Sequence, residues 1–269
     1  MDPVVQECVL QAQQLFQLPE LQWQNESPQP NDVEEFKRQT EQSIFDPLLL
    51  RAILWKEVEE GRATVKARGC ALARVIWIQP KGKKVEPDWS TWGRIFQWYG
   101  QPSSGGVWRV FWFPSEVKRV APTPPERPGP AHVNGGYTIP CTPTAIVIYR
   151  KEEAARVLLH ELSHAACLDD QSEPLIMREA RTETWAEIFL VAIKSGGSLE
   201  KAGRLWKFQT QWISDQNAML RTEYGVKGPN DYSWRYTLGR ESILKQLGIY
   251  LPAPKRTSKS LRFTHITLS

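Results

Sequence analysis

Ten residues that can form neither helix nor central strand, Ala121 to Pro130 in APTPPERPGP, divide this chain into two stretches of different character. Proline fixes φ and carries no amide hydrogen, so five prolines in ten residues predict a stiff, extended connector. Between 61 and 119 the runs Leu72 to Ile78 and Val107 to Phe113 are rich in β-branched and aromatic residues. They are punctuated by Pro80, Gly82, Pro87, Pro102 and Gly105-Gly106, which predicts short strands. Beyond the connector, Ala145 to Tyr149 is a further β-rich run. Helical patterns follow over 152 to 168, 177 to 194, 198 to 222 and 234 to 247. Residues 1 to 60 show helical spacing in Val5, Cys8, Val9, Ala12 and Phe16, and again in Phe45, Leu48, Leu49, Ile53 and Leu54.

With 269 residues, 41% of them hydrophobic, the chain is long enough to bury a real core and is not a disordered polypeptide. Its longest apolar runs, such as Ile188 to Ile193, are far shorter than the ~18 residues that cross a bilayer. The N-terminus lacks a basic segment followed by an apolar one. The expectation is a soluble, cytoplasmic protein without membrane contact. Cys8, Cys70, Cys141 and Cys167 stand at no ligand or framework spacing, which predicts four reduced thiols.

The net charge of +4 conceals an asymmetry: 4 basic against 12 acidic residues in 1 to 60, then 12 against 4 in 61 to 130. The basic segment also holds Trp77, Trp89, Trp92, Trp98, Trp108 and Trp112. Strand-like runs such as VWRVFWF place tryptophans where a sheet buries them, and core is the favoured reading. The competing one is a basic, stacking surface for nucleic acid.

The chemistry is concentrated in VLLHELSHAACLDD, which contains His160-Glu161-Leu162-Ser163-His164. Helical residues four apart share a face, so both imidazoles can reach one ion, with Glu161 beside its open coordination position as general base. Catalytic zinc wants a third protein ligand. Asp169, Asp170, Glu173, Glu179, Glu183 and Glu187 lie downstream. In REARTETWAEIFLVAIKS, positions 183, 186, 187, 190 and 193 share one face, and two carboxylates there would be costly to bury unpaired. A metal relieves that cost: Glu183 ligates, and Glu187 accepts a ring N–H from His160 or His164. The competing arrangement pairs them with Arg178, Arg181 or Lys194.

On these residues the chain resembles the gluzincin branch of the zincin metallopeptidases, in which HExxH is followed 18 to 25 residues later by a ligating Glu on a second helix. Here 18 residues separate His164 from Glu183. The resemblance covers residues 135 to 195. It implies Zn2+ held by His160, His164 and Glu183, with Glu161 as the base in peptide-bond hydrolysis by a zinc-activated water. It also implies an edge strand, Ala145 to Tyr149 or Gly135 to Ile139, that pairs with a protein or peptide substrate. The oxyanion donor of that family is a His or Tyr after the third ligand; Tyr232 and Tyr236 are the tyrosines placed for it, with helix packing as their plain alternative. Cys141, just ahead of the motif, offers by position alone a thiolate that could block the zinc, while Cys167 reads as core.

The expected fold is therefore α+β and zincin-like: a small, mostly antiparallel sheet packed on an active-site helix and a C-terminal helical half. Residues 1 to 60 form an N-terminal helical appendage, 61 to 120 a Trp-rich β segment, 121 to 131 the connector, 132 to 250 the catalytic core and 251 to 269 a loose basic tail. The alternative function is a zincin-fold binding protein with structural or vestigial zinc, engaging nucleic acid or a protein through the basic Trp-rich segment.

Overall fold

Strand β3 (Ala73–Pro80) is buried on both faces over Val75 to Ile78, as a central strand must be. On one side it pairs antiparallel with β2 (Ala63–Gly69), which in turn pairs antiparallel with β1 (Gln24–Glu26). On the other side it pairs parallel with β4 (Trp108–Trp112), β4 pairs parallel with β6 (Ile146–Ile148), and β5 (Gly136–Tyr137) closes the row antiparallel to β6. The computed structural model describes residues 1–255 and 260–268. Within them the fold is α+β, with nine α-helices and one open six-stranded sheet in the order β1-β2-β3-β4-β6-β5.

The sheet is mixed, with three antiparallel pairings and two parallel ones. The reason is α4 (Trp89–Tyr99), a helix inside the stretch read as strands, which carries the chain from β3 to a parallel β4. Asp88 caps α4 by accepting the Thr91 N–H at 3.1 Å. Trp92, Ile95 and Phe96 form its buried stripe.

The chain divides into two compact units. One comprises residues 19–118 and 134–168, the other 1–18, 119–133 and 169–269. The first sixty residues are thus shared between them, and the proline-rich stretch belongs to the second.

In the sheet unit, α2 (Pro30–Arg38) and α3 (Leu50–Glu59) cover one face, where Phe36, Leu50 and Trp55 meet Ile76, Ile78, Phe111, Phe113 and Val147. Phe36 sits edge-on to Phe111 and Phe113, with ring centroids 5.3 and 4.7 Å away. A fully buried phenylalanine of this kind contributes about 1.5–3 kcal/mol by transfer alone. Asp32 fastens α2 to the strands by accepting from Arg74 at 2.7 Å and Arg109 at 2.8 Å. The opposite face carries α4, whose Trp92 meets Trp112 at 5.8 Å, and α6 (Ala154–Ala165), which packs on β5 and β6. Trp77, Trp92, Trp108 and Trp112 are all core, so their faces are not presented for stacking.

In the helical unit, α1 (Pro3–Leu15) packs on α7 (Leu175–Ser195) and α8 (Leu199–Glu223), and α9 (Leu238–Gln246) packs on α7. A four-residue helix, α5 (Pro130–Val133), ends the proline-rich stretch, whose Pro122 carbonyl accepts from Tyr224 Oη at 2.7 Å. The C-terminal segment is not the loose tail expected. Leu261 and Phe263 are core residues, because Gln209 holds the Phe263 carbonyl at 2.8 Å and Trp212 the Arg262 carbonyl at 2.9 Å. The tail's residues 256–259 lie outside the described ones. Among the described residues, no helix is long and apolar enough to cross a membrane.

Candidate metal centre

Helix α6, AARVLLHELSHA, buries every residue except Ala155. A helix that is sunk on all sides needs its polar groups placed, and three of them are His160, Glu161 and His164, each 5–6% exposed. The two imidazoles converge as the four-residue spacing predicts: their Nε2 atoms lie 2.9 Å apart with the rings at 76°.

Glu161 points to the sheet. A Cβ built on Gly136 would come within 3.1 Å of Glu161 Oε1, 2.8 Å of the Val147 carbonyl oxygen and 2.6 Å of Val157 Cγ1. Only glycine lets α6 approach β5 this closely. Of the two runs proposed as edge strand, the one containing Gly136 and Tyr137 forms the edge among the described residues, and Ile146 to Ile148 lies inside. The carboxylate of the motif therefore sits over the backbone of the sheet's edge.

Two anchors hold the helix. Tyr99 Oη of α4 lies 2.7 Å from both the Leu159 carbonyl and Ser163 Oγ. At the C-terminal end, the His164 carbonyl accepts the amides of Cys141 at 2.9 Å and Cys167 at 3.0 Å. Cys141 and Cys167 are joined in a disulfide, so the expectation of four reduced thiols is corrected. Cys8 and Cys70 alone are free. A half-cystine carries no thiolate, so in this form Cys141 cannot be the blocking ligand suggested by its position. Burial pushes the Cys8 thiol up to about 11, which makes it inert.

The helical unit carries the acidic residues. Glu179, Glu183 and Glu187 recur every fourth residue along α7, and Glu183 and Glu187 are 3% and 2% exposed. Glu187 accepts from Arg240 Nη1, a partner 53 residues downstream that helix spacing alone does not reveal. Arg240 is itself fully buried and also donates to the Phe263 carbonyl at 3.1 Å and Gln216 Oε1 at 2.8 Å. Tyr232 and Tyr236 stand in a short 3-10 helix with ring centroids 5.7 Å apart. The Arg235 guanidinium lies 4.8 Å from the Tyr232 ring. Burial, reinforced by the charge of Glu179 and by Tyr232, pushes the Tyr236 phenol well above its ordinary value. It remains a neutral O–H donor throughout the physiological range. Asp169, Asp170 and Glu173 are turned to local partners: Asp169 approaches Arg178 at 4.0 Å, Asp170 accepts from Ser172 Oγ at 2.6 Å and Glu173 from Arg181 at 2.7 Å.

Several parts of this arrangement are absent from the sequence reading. Gly136 carried a signal, because a glycine pair before a β-rich run marks close backbone approach. Tyr99, Arg240 and the cysteine pair carried none, since each is brought in by tertiary structure. Compared with protein-family models, with curated proteins and with solved structures, the chain finds no match.

Proposed function

We propose that this protein is a zinc-dependent metallopeptidase that hydrolyses peptide bonds in an extended polypeptide laid along β5. The observation that carries the reading is the Glu161 carboxylate, which shares a helix with two converging imidazoles and lies over Gly136 of the edge strand. An edge strand accepts another strand through main-chain hydrogen bonds. A scissile carbonyl paired there is brought towards a group able to take and return a proton.

The donor set suits zinc. Two nitrogens bound to one tetrahedral ion at about 2.05 Å stand ~3.3 Å apart, and the observed 2.9 Å is within half an ångström of that. His160 and His164 supply two ligands. The third is assigned to the α7 row: Glu183 by helix face and spacing, with Glu179 as the other carboxylate whose chemistry joins the histidine pair. Zinc held by these residues would supply Lewis acidity, lowering the pKa of a bound water and polarising the carbonyl. Glu161 takes the proton of the attacking water and delivers it to the leaving amine. Tyr232 and Tyr236 are the hydroxyl donors assigned to the developing oxyanion.

The test is Glu161→Gln. It should retain one equivalent of zinc while chelator-sensitive cleavage of an unstructured polypeptide falls about 10²–10⁴-fold; cleavage at the wild-type rate would sink the proposal. Comparing the zinc content of Glu183→Gln and Glu179→Gln identifies the third ligand, as the variant that loses the metal.

A second reading, nucleic-acid binding, retains one supporting observation. Lys66, Arg68, Lys81, Lys83 and Lys84 line a groove of about 630 Å³ on the β1–β3 side of the sheet. Trp77 also lines it but is 4% exposed, so the groove would act mainly by charge. Salt-dependent oligonucleotide binding that survives chelation and is lost in Lys81→Glu/Lys83→Glu would support it.

A further inference from the structure

Five large apolar side chains are exposed within ten residues of one another: Ile44 at 80%, Phe45 at 44%, Leu48 at 42%, Leu49 at 44% and Ile53 at 56%. Single exposed apolar residues are ordinary, but a contiguous set marks an interaction surface. Hydrogen bonds shape the backbone that carries this set. The Asp46 carboxylate accepts the Leu50 and Arg51 amides at 3.1 Å each and Arg51 Nε at 3.0 Å. Two tight turns, Ser43 to Asp46 and Asp46 to Leu49, shape the loop, and Leu49 is held at a left-handed φ of 55°, a conformation that costs a leucine energy. The Arg51 guanidinium, buried, also donates to the Tyr137 hydroxyl.

The placement gives the surface its meaning. The Phe45 ring stacks on Tyr137 of β5 at 6.1 Å, and the Phe45 carbonyl accepts from Asn134 Nδ2 at 3.1 Å and from the Tyr149 hydroxyl. Successive strand residues face opposite sides of a sheet. Gly136 faces α6 and Glu161, whereas Tyr137 faces α3 and Phe45. A polypeptide added alongside β5 has the same alternation. The side chains on one face go towards the HExxH helix, and those between them go to the exposed apolar rim.

We infer that the rim selects the substrate: an extended, unfolded polypeptide carrying large apolar side chains at alternate positions on the face away from α6. This rests on the peptidase reading, which it deepens by naming the substrate class. Burial of apolar area by those side chains supplies affinity that the main-chain pairing of β5 gives to any sequence.

The experiment uses the full-length, zinc-loaded Glu161→Gln protein and two synthetic ten-residue peptides, one with Leu at every second position and one with Ser there. The leucine peptide should bind at least tenfold more tightly, and Ile44→Asp/Leu48→Asp in the same background should abolish that preference. If the aspartate variant fails to fold, Ile44→Ser/Leu48→Ser replaces it. Equal binding of the two peptides, or an unchanged preference in the rim variant, overturns the inference. So does a wild-type dimer that the rim variant converts to monomer while peptide binding stays the same, because the rim is then an interface between copies. A retained preference without cleavage by the Glu161-containing protein upholds the rim and removes the peptidase reading.

Discussion

Breaking the Cys141–Cys167 bond should act on both stability and metal retention. The cysteines are 26 residues apart. Cross-linking a loop of that length removes roughly 12 cal/mol/K of unfolded-chain entropy, or about 3.5 kcal/mol at 25 °C. At 2–4 °C per kcal/mol for a chain of this size class, Tm should fall by roughly 7–14 °C. The local effect follows from geometry: the amides of both cysteines hold the His164 carbonyl, so loosening them frees the last turn of α6 and the second histidine with it. The assay is thermal melting with and without a phosphine reductant, for wild type and Cys141→Ala/Cys167→Ala, together with zinc loss to a chelator. The wild type should lose stability and release zinc faster on reduction, whereas the double variant starts low and does not respond. Titration of the unreduced, denatured wild type should find two thiols, Cys8 and Cys70. Four thiols, with a melting curve indifferent to reductant, would refute the argument.

Arg240→Met should destabilise the protein by about 3–5 kcal/mol in urea unfolding, since it removes a fully buried guanidinium that donates to Glu187, Gln216 and the Phe263 carbonyl. Adding Glu187→Met should recover most of the loss, and a double variant as weak as the single one would contradict the pairing. Gly136→Ala should cost about 1–3 kcal/mol and depress hydrolysis, because its Cβ meets Val157 and the Val147 carbonyl. The same change at Gly203 in α8, with nothing within 4 Å, should be neutral or stabilising; equal effects at the two sites would discount the close approach of α6. Burial by itself would raise the Glu241 carboxyl, but hydrogen bonds from Arg221, Lys245 and Asn217 outweigh it and hold the group below its ordinary value. A depressed carboxyl stabilises the fold above its unfolded value and loses that contribution as pH falls through the folded one. Stability should therefore decline below about pH 4.5, less steeply in Glu241→Gln, and identical slopes would exclude Glu241 as a source.

The readable parts of the chain were those governed by local period. Helix α6 and its histidine pair, the helices after it, and strands β3 and β4 follow from spacing of three to four or from dense β-branched runs. Helix α4 was hidden although Trp92, Ile95, Phe96 and Tyr99 have helical spacing, because aromatic density imitates a strand. Strand β1, Gln24–Glu26, has no apolar face and exists only because β2 offers a partner. The disulfide joins cysteines at no telling interval. Arg240 reaches Glu187 only through the packing of α9 on α7. In the candidate site, the residues of the motif could be read directly, while the supports that fix them could not.

The interleaving of the two units also sets a timetable for synthesis. Helix α1 is made well before α7, which begins at Leu175, yet the two belong together. At about 5–20 residues per second its apolar stripe waits roughly ten to thirty seconds for that partner. During that interval Val5, Cys8, Val9, Ala12 and Leu15 are exposed on the nascent chain, and chaperone capture at α1 is where a folding defect should first register.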